Sequence, residues 1–120
     1  RLQYLAIGSV SALTISCLIN YIRTQSRKKE NAALEPYFSS TYHSARKKFQ
    51  EAASKISTAK NHSIVVDTDA DLSIDLCYIP GDKSSKHVLL HFSATHGVEG
   101  YAGSAVQIYL LQNEINNIIN

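Results

Sequence analysis

Charged residues are absent from Leu2 to Ile22 and crowd in directly afterwards, at Arg23, Arg27, Lys28 and Lys29. An apolar stretch of about twenty residues matches a helix that crosses roughly 30 Å of hydrocarbon. A cleaved signal peptide and an interfacial amphipathic helix are the alternatives. No small-x-small cleavage site ends the stretch, which favours a span. The four cations behind it predict that this flank stays in the cytoplasm, with residues 23–36 as a basic juxtamembrane linker closing at Pro36.

Beyond the linker the pattern changes to a helical period. Phe38, Tyr42, Ala45, Phe49, Ala52 and Ile56 recur at alternating steps of four and three, while Arg46, Lys47, Lys48 and Glu51 fall on the opposite side. The spacing predicts a helix capped by Ser39 or Ser40, its aromatic stripe facing a core. Ile64-Val65-Val66 and the alternating run Leu72–Ile79 then predict two strands. Asp67-Thr68-Asp69-Ala70-Asp71 supplies the turn of an antiparallel hairpin between them. Three aspartates at alternate positions resemble a calcium loop in part only, because the glycine and terminal glutamate of an EF-hand are missing.

Pro80-Gly81-Asp82 turns the chain again. His87-Val88-Leu89-Leu90-His91-Phe92 is nearly continuously apolar, as expected of a strand buried inside a sheet, with His91 packed in it. Gly103 or Ser104 through Leu111 reads as a partly buried helix. The order strand, loop, helix puts the loop where open α/β sheets bind ligands.

That loop, Ser93 to Gly103, contains three of the five glycines in the chain, together with His96 and Glu99. Glycine lets a backbone bend sharply and approach a ligand closely. An imidazole and a carboxylate three residues apart can aim at one metal ion, and nitrogen with carboxylate oxygen is a set that zinc accepts. In the opposing reading Glu99 is a solvent-facing acid and His96 bonds to backbone. A serine hydrolase is excluded, since Gly103-Ser104-Ala105 does not form a nucleophile elbow.

Composition narrows the partners. Five of the twelve basic residues flank the apolar stretch, so residues 30–120 carry seven basic against ten acidic side chains. A mildly acidic unit with no basic stripe speaks against nucleic acid. Cys17 and Cys77 lie far apart in the pattern and suggest no disulfide framework. The chain opens on Arg1 and has no methionine, which reads as a fragment.

Thr95-His96-Gly97-Val98-Glu99-Gly100, followed by Ala102-Gly103-Ser104-Ala105-Val106-Gln107, resembles the hallmark of an uncharacterised branch of the zinc carboxypeptidase-like superfamily. Tyr42-His43-Ser44-Ala45-Arg46-Lys47-Lys48-Phe49 resembles that branch's first helix. Ala94 stands where a small residue, often glycine, is expected.

The resemblance implies an α/β fold: the opening helix, β-hairpin, buried strand and helix of an α/β/α sheet, occupying residues 37–120 behind a transmembrane anchor at 1–22. It implies His96 and Glu99 as the first two zinc ligands. A third histidine, a glutamate general base and arginines for a substrate carboxylate would come from further along the chain. The intact protein would then be a membrane-anchored, single-pass hydrolase of amide or peptide bonds. Residues 2–22 would contact lipid, and the substrate would be peptide or acyl-amino-acid-like. The fragment itself would be inactive. The alternative is a membrane-anchored α/β module without the chemistry.

Overall fold

From Leu2 to Leu34 the backbone is one helix, α1. It runs on through residues expected to form a linker and ends in a 3-10 turn over Glu35–Tyr37. The physical reason is composition. Arg, Lys, Glu, Gln, Ala and Leu, which all propagate a helix well, make up most of residues 23–35, and no proline or glycine interrupts them there. The computed structural model describes the backbone of residues 2–119 and the side chains of residues 14–119. Among these, no helix is long and apolar enough to cross a membrane. The side chains of residues 2–13, which make up much of the expected span, lie outside the described residues.

Arg1–Pro36 and Tyr37–Asn120 are two separate compact units. The second begins with α2, Tyr42–Ser54. Its cap is Thr41, one residue beyond the expected serines, whose side-chain oxygen accepts a hydrogen bond from the Ser44 N–H at 3.2 Å. Ser39 instead shares a hydroxyl contact with Ser44, and Lys48 donates to the Phe38 carbonyl. Phe38 therefore lies outside the helix and is exposed.

The expected hairpin is present. β1 (Lys60–Asp67) pairs antiparallel with β2 (Leu72–Tyr78), in a register that sets Ile64 opposite Ile74 and Ser63 opposite Asp75. Asp67 shapes the turn by accepting from the N–H groups of Asp69 and Ala70. The side of the hairpin that α2 covers is the polar one. Ser73, Asp75 and Cys77 are half-buried, whereas Ile74, Leu76 and Tyr78 are about half exposed or more.

A polar clip explains this choice. Asp75 receives hydrogen bonds from Arg46, Gln50, Ser63 and Ser73. Arg46 also pairs with Asp71 at 3.3 Å. The Tyr42 hydroxyl accepts from the Ser73 N–H at 2.7 Å and donates to the Ser73 carbonyl at 3.0 Å, occupying the outer edge of β2 as another strand would. Burial alone would raise the Asp75 pKa. The four hydrogen bonds outweigh it and hold the carboxyl below its ordinary value. Cys77 and Cys17 are both free, and burial pushes the Cys77 thiol upward.

Helix α3 (Gly100–Tyr109) starts three residues before the expected boundary. It continues through a π-helical turn, Leu110–Glu114, into a short α4, Ile115–Ile119. The core lies between α2 and α3, which among the described residues contribute all the buried apolar side chains: Ala45, Ala52, Ala53, Ala105 and Ile108. Four of these are alanines, and small residues let two helices approach closely. Tyr37 packs edge-on against Tyr109, with ring centroids 5.2 Å apart.

The expected buried strand is a correction. Residues 87–92 form no strand, and Val88, Leu89, Leu90 and Phe92 are each at least 70% exposed. Among the described residues the only sheet is the two-stranded hairpin, so the segment has no ladder to join. An apolar run without a pairing partner keeps its backbone bonded to water.

Candidate metal-binding loop

The chain between β2 and α3 is irregular from Ile79 to Glu99. Asp82 organises its first turn by accepting from both the N–H and the hydroxyl of Ser84, each at 2.7 Å. Ser93 and Ala94 then lie against α3. A methyl group built on Gly103 would stand 2.7 Å from the Ser93 Cβ. One on Gly100 would come under 3.0 Å from both Cα and Cβ of Ala94. Only glycine permits this approach at either position. Ala94 has φ +59°, the left-handed region that favours glycine.

The chain next reverses over Thr95 to Glu99. The N–H groups of Gly100, Tyr101 and Ala102 bond to the carbonyls of Gly97, Val98 and Glu99, and these short turns lead into α3. This geometry brings the two expected ligands together. His96 Nδ1 lies 3.8 Å from Glu99 Oε1, and the same oxygen accepts from the His96 backbone N–H at 3.2 Å. Both side chains face solvent, with His96 86% and Glu99 60% exposed.

Two donors on one tetrahedral zinc, each at about 2.0–2.2 Å, stand roughly 3.4 Å apart. The 3.8 Å between His96 Nδ1 and Glu99 Oε1 is a few tenths of an ångström longer, a separation compatible with two positions of such a shell. Among the described residues, no group of three or more His, Cys, Asp or Glu side chains is placed to hold a metal ion.

His91 does not belong to the pair. It is exposed rather than packed in a strand, and its contribution is its backbone carbonyl, which accepts from Gln107 Nε2 at 3.0 Å. Gln107 Oε1 accepts from the Ser93 hydroxyl at 2.7 Å. The role of Gln107 was not anticipated from sequence. Its one local signal is the spacing of Gly100, Gly103 and Gln107, which share a helix face at steps of three and four.

A separate depression of about 280 Å³ lies between α2 and the hairpin, bordered by Phe49, Gln50, Ala53, His62, Asp75 and Leu76. No residue of the His96 loop borders it. It falls just below the usual size of small-molecule pockets.

Neither a curated protein nor a solved structure matches the chain. A family model does match, over residues 38–120, a span that includes α2, the hairpin, the His96 loop and α3. The chain therefore belongs to the family described as "Protein of unknown function (DUF2817)".

Proposed function

We propose that His96 and Glu99 are two of the zinc ligands of a carboxypeptidase-like hydrolase. In this reading the intact protein cleaves an amide or peptide bond in a peptide or acyl-amino-acid-like substrate, using further ligands and a general base from outside this chain. Residues 2–22 serve as its single-pass membrane anchor, and residues 37–120 face the cytoplasm.

The observation that carries the reading is the 3.8 Å approach of an imidazole nitrogen to a carboxylate oxygen on an exposed, glycine-bent loop. The His96 N–H holds one carboxylate oxygen of Glu99 in a fixed direction, the kind of outer support that metal-binding carboxylates receive. The Glu99 charge offsets part of a dication's charge, and His96 supplies a neutral nitrogen donor. Zinc, when bound, provides a Lewis acid and a coordinated water of lowered pKa.

One observation favours a second reading. The bond from the His96 N–H also gives Glu99 a purely conformational task, closing the loop, as it would in a non-catalytic membrane-anchored α/β module.

Bound zinc per chain, measured in the full-length protein, separates the two. His96→Ala and Glu99→Gln should each lower zinc affinity at least about tenfold. The double variant should be little worse than the worse single one, since coupled ligands are non-additive. Val98→Ala, on the same loop with an exposed side chain, should bind as wild type does. Full occupancy in both His96→Ala and Glu99→Gln leaves the non-catalytic module as the account.

A further inference from the structure

We infer that Gln107 is the positioning residue of the His96 loop, locking the incoming chain onto α3 and so fixing where the His96–Glu99 turn sits against the helix. The metal consequence rests on the zinc reading above; the positioning itself does not.

Three contacts fall in order along one face of α3. Gly100 faces Ala94, Gly103 faces Ser93, and Gln107 bonds to both Ser93 and His91. As the helix number rises the loop number falls, so residues 91–94 run antiparallel along the helix. The lengths agree. Seven helical residues from Gly100 to Gln107 rise about 10.5 Å, and three extended steps from His91 to Ala94 cover about 10 Å.

The glycines allow the approach but attract nothing, being without side chains. Gln107 is the group that holds the segment, and it uses both ends of its amide. Nε2 donates to a backbone carbonyl and Oε1 accepts from a hydroxyl, so one side chain fixes the segment at two residues. The very next residue, Ala94, occupies its left-handed conformation, and the chain turns to His96. If the segment lifts from α3, the His96 to Glu99 approach is left to the local turn and the single bond from the His96 N–H, so the pair loses its fixed place against the helix.

Gln107→Glu tests this at nearly constant shape. The carboxylate can still accept from Ser93 but cannot donate to the His91 carbonyl, and it repels that oxygen. Ser93→Ala removes the other bond, and Gln112→Glu, an exposed position further along the same helical run, controls for added charge. The readouts, in the full-length protein, are hydrogen exchange of the His96 amide, zinc affinity and the melting temperature.

Gln107→Glu and Ser93→Ala should speed exchange at His96 and weaken zinc binding by a few-fold, less than the about 10–100-fold that follows loss of a group bonded to the ligand itself. Gln112→Glu should do neither. Faster exchange in a protein that binds no zinc even as wild type supports the positioning role and removes the zinc reading. Unchanged exchange overturns the positioning role, whether or not zinc affinity falls. If Gln107→Glu lowers the melting temperature too far to assay, Ser93→Ala decides by the same criterion.

Discussion

Gly100→Ala puts the close packing of the His96 loop to a direct test. The new methyl group would stand under 3.0 Å from both Cα and Cβ of Ala94, and 3.1 Å from its nitrogen, where 3.4–4 Å is ordinary contact. The obstacle is backbone, already held at φ +59°, so it cannot turn aside as a side-chain tip can. Relieving the overlap means moving the loop off α3 by several tenths of an ångström or more. Overpacking of this kind costs about 1–3 kcal/mol. Alanine offers at most about 1 kcal/mol in return through helix propensity, and less at a first helical residue. The net should be a loss of about 1–2 kcal/mol, or a fall of roughly 4–15 °C in melting temperature for a unit of this size.

Thermal unfolding followed by circular dichroism measures it. Ala94→Gly provides the internal check, since it removes one of the two overlapping carbons and relieves the left-handed conformation. It should restore part of the loss when combined with Gly100→Ala. A Gly100→Ala protein that melts at or above wild type would refute the described packing of loop against helix.

Asp75 should make the second unit acid-sensitive. Its carboxyl has a lower pKa folded than unfolded, so its stabilising contribution is complete above the unfolded value of about 3.8 and disappears as pH falls through the folded one. Urea midpoints across the acid range should drop less steeply for Asp75→Asn than for wild type; identical slopes would remove Asp75 as the source. Asn61-His62-Ser63 is an N-glycosylation acceptor pattern on the exposed strand β1, and it reports on topology. With the domain on the cytoplasmic side Asn61 should stay bare in cells, whereas a glycosidase-sensitive mobility shift that is lost in Asn61→Gln would place the domain on the other side.

Local chemistry made the hairpin readable: alternation over Leu72–Tyr78 and an aspartate-rich turn suffice without distant contacts. The three-residue spacing of His96 and Glu99 likewise makes them neighbours across a single turn. Ala94 was legible in reverse, because the expected glycine corresponds to a real left-handed conformation, borne here by alanine. Residues 87–92 misled because apolar content implies burial only where a partner exists, and a composition cannot say whether one does. The helical form of residues 23–34 went unread because charge marks a membrane flank and a good helix former alike. Gln107 stayed hidden for a different reason. Its partners lie 14 and 16 residues away in sequence, and they reach it only after the chain has reversed over the loop.

The hairpin turns its polar side inward to α2 and leaves Ile64, Ile74, Leu76 and Tyr78 facing water, while Val88–Leu90 and Phe92 add further bare apolar surface. Such a surface makes colloidal behaviour a matter of concentration and salt as much as of folding. Two chains that meet bury greasy area without either having to unfold, so turbidity can rise well below the melting temperature. Sulfate and phosphate, which strengthen apolar association, should drive this protein from solution sooner than chloride at equal ionic strength. Tyr42 limits the damage on one flank: with its hydroxyl on both polar groups of Ser73, the outer edge of β2 is spoiled as a template for a neighbouring strand, so clumping should proceed through faces rather than by ordered strand addition there.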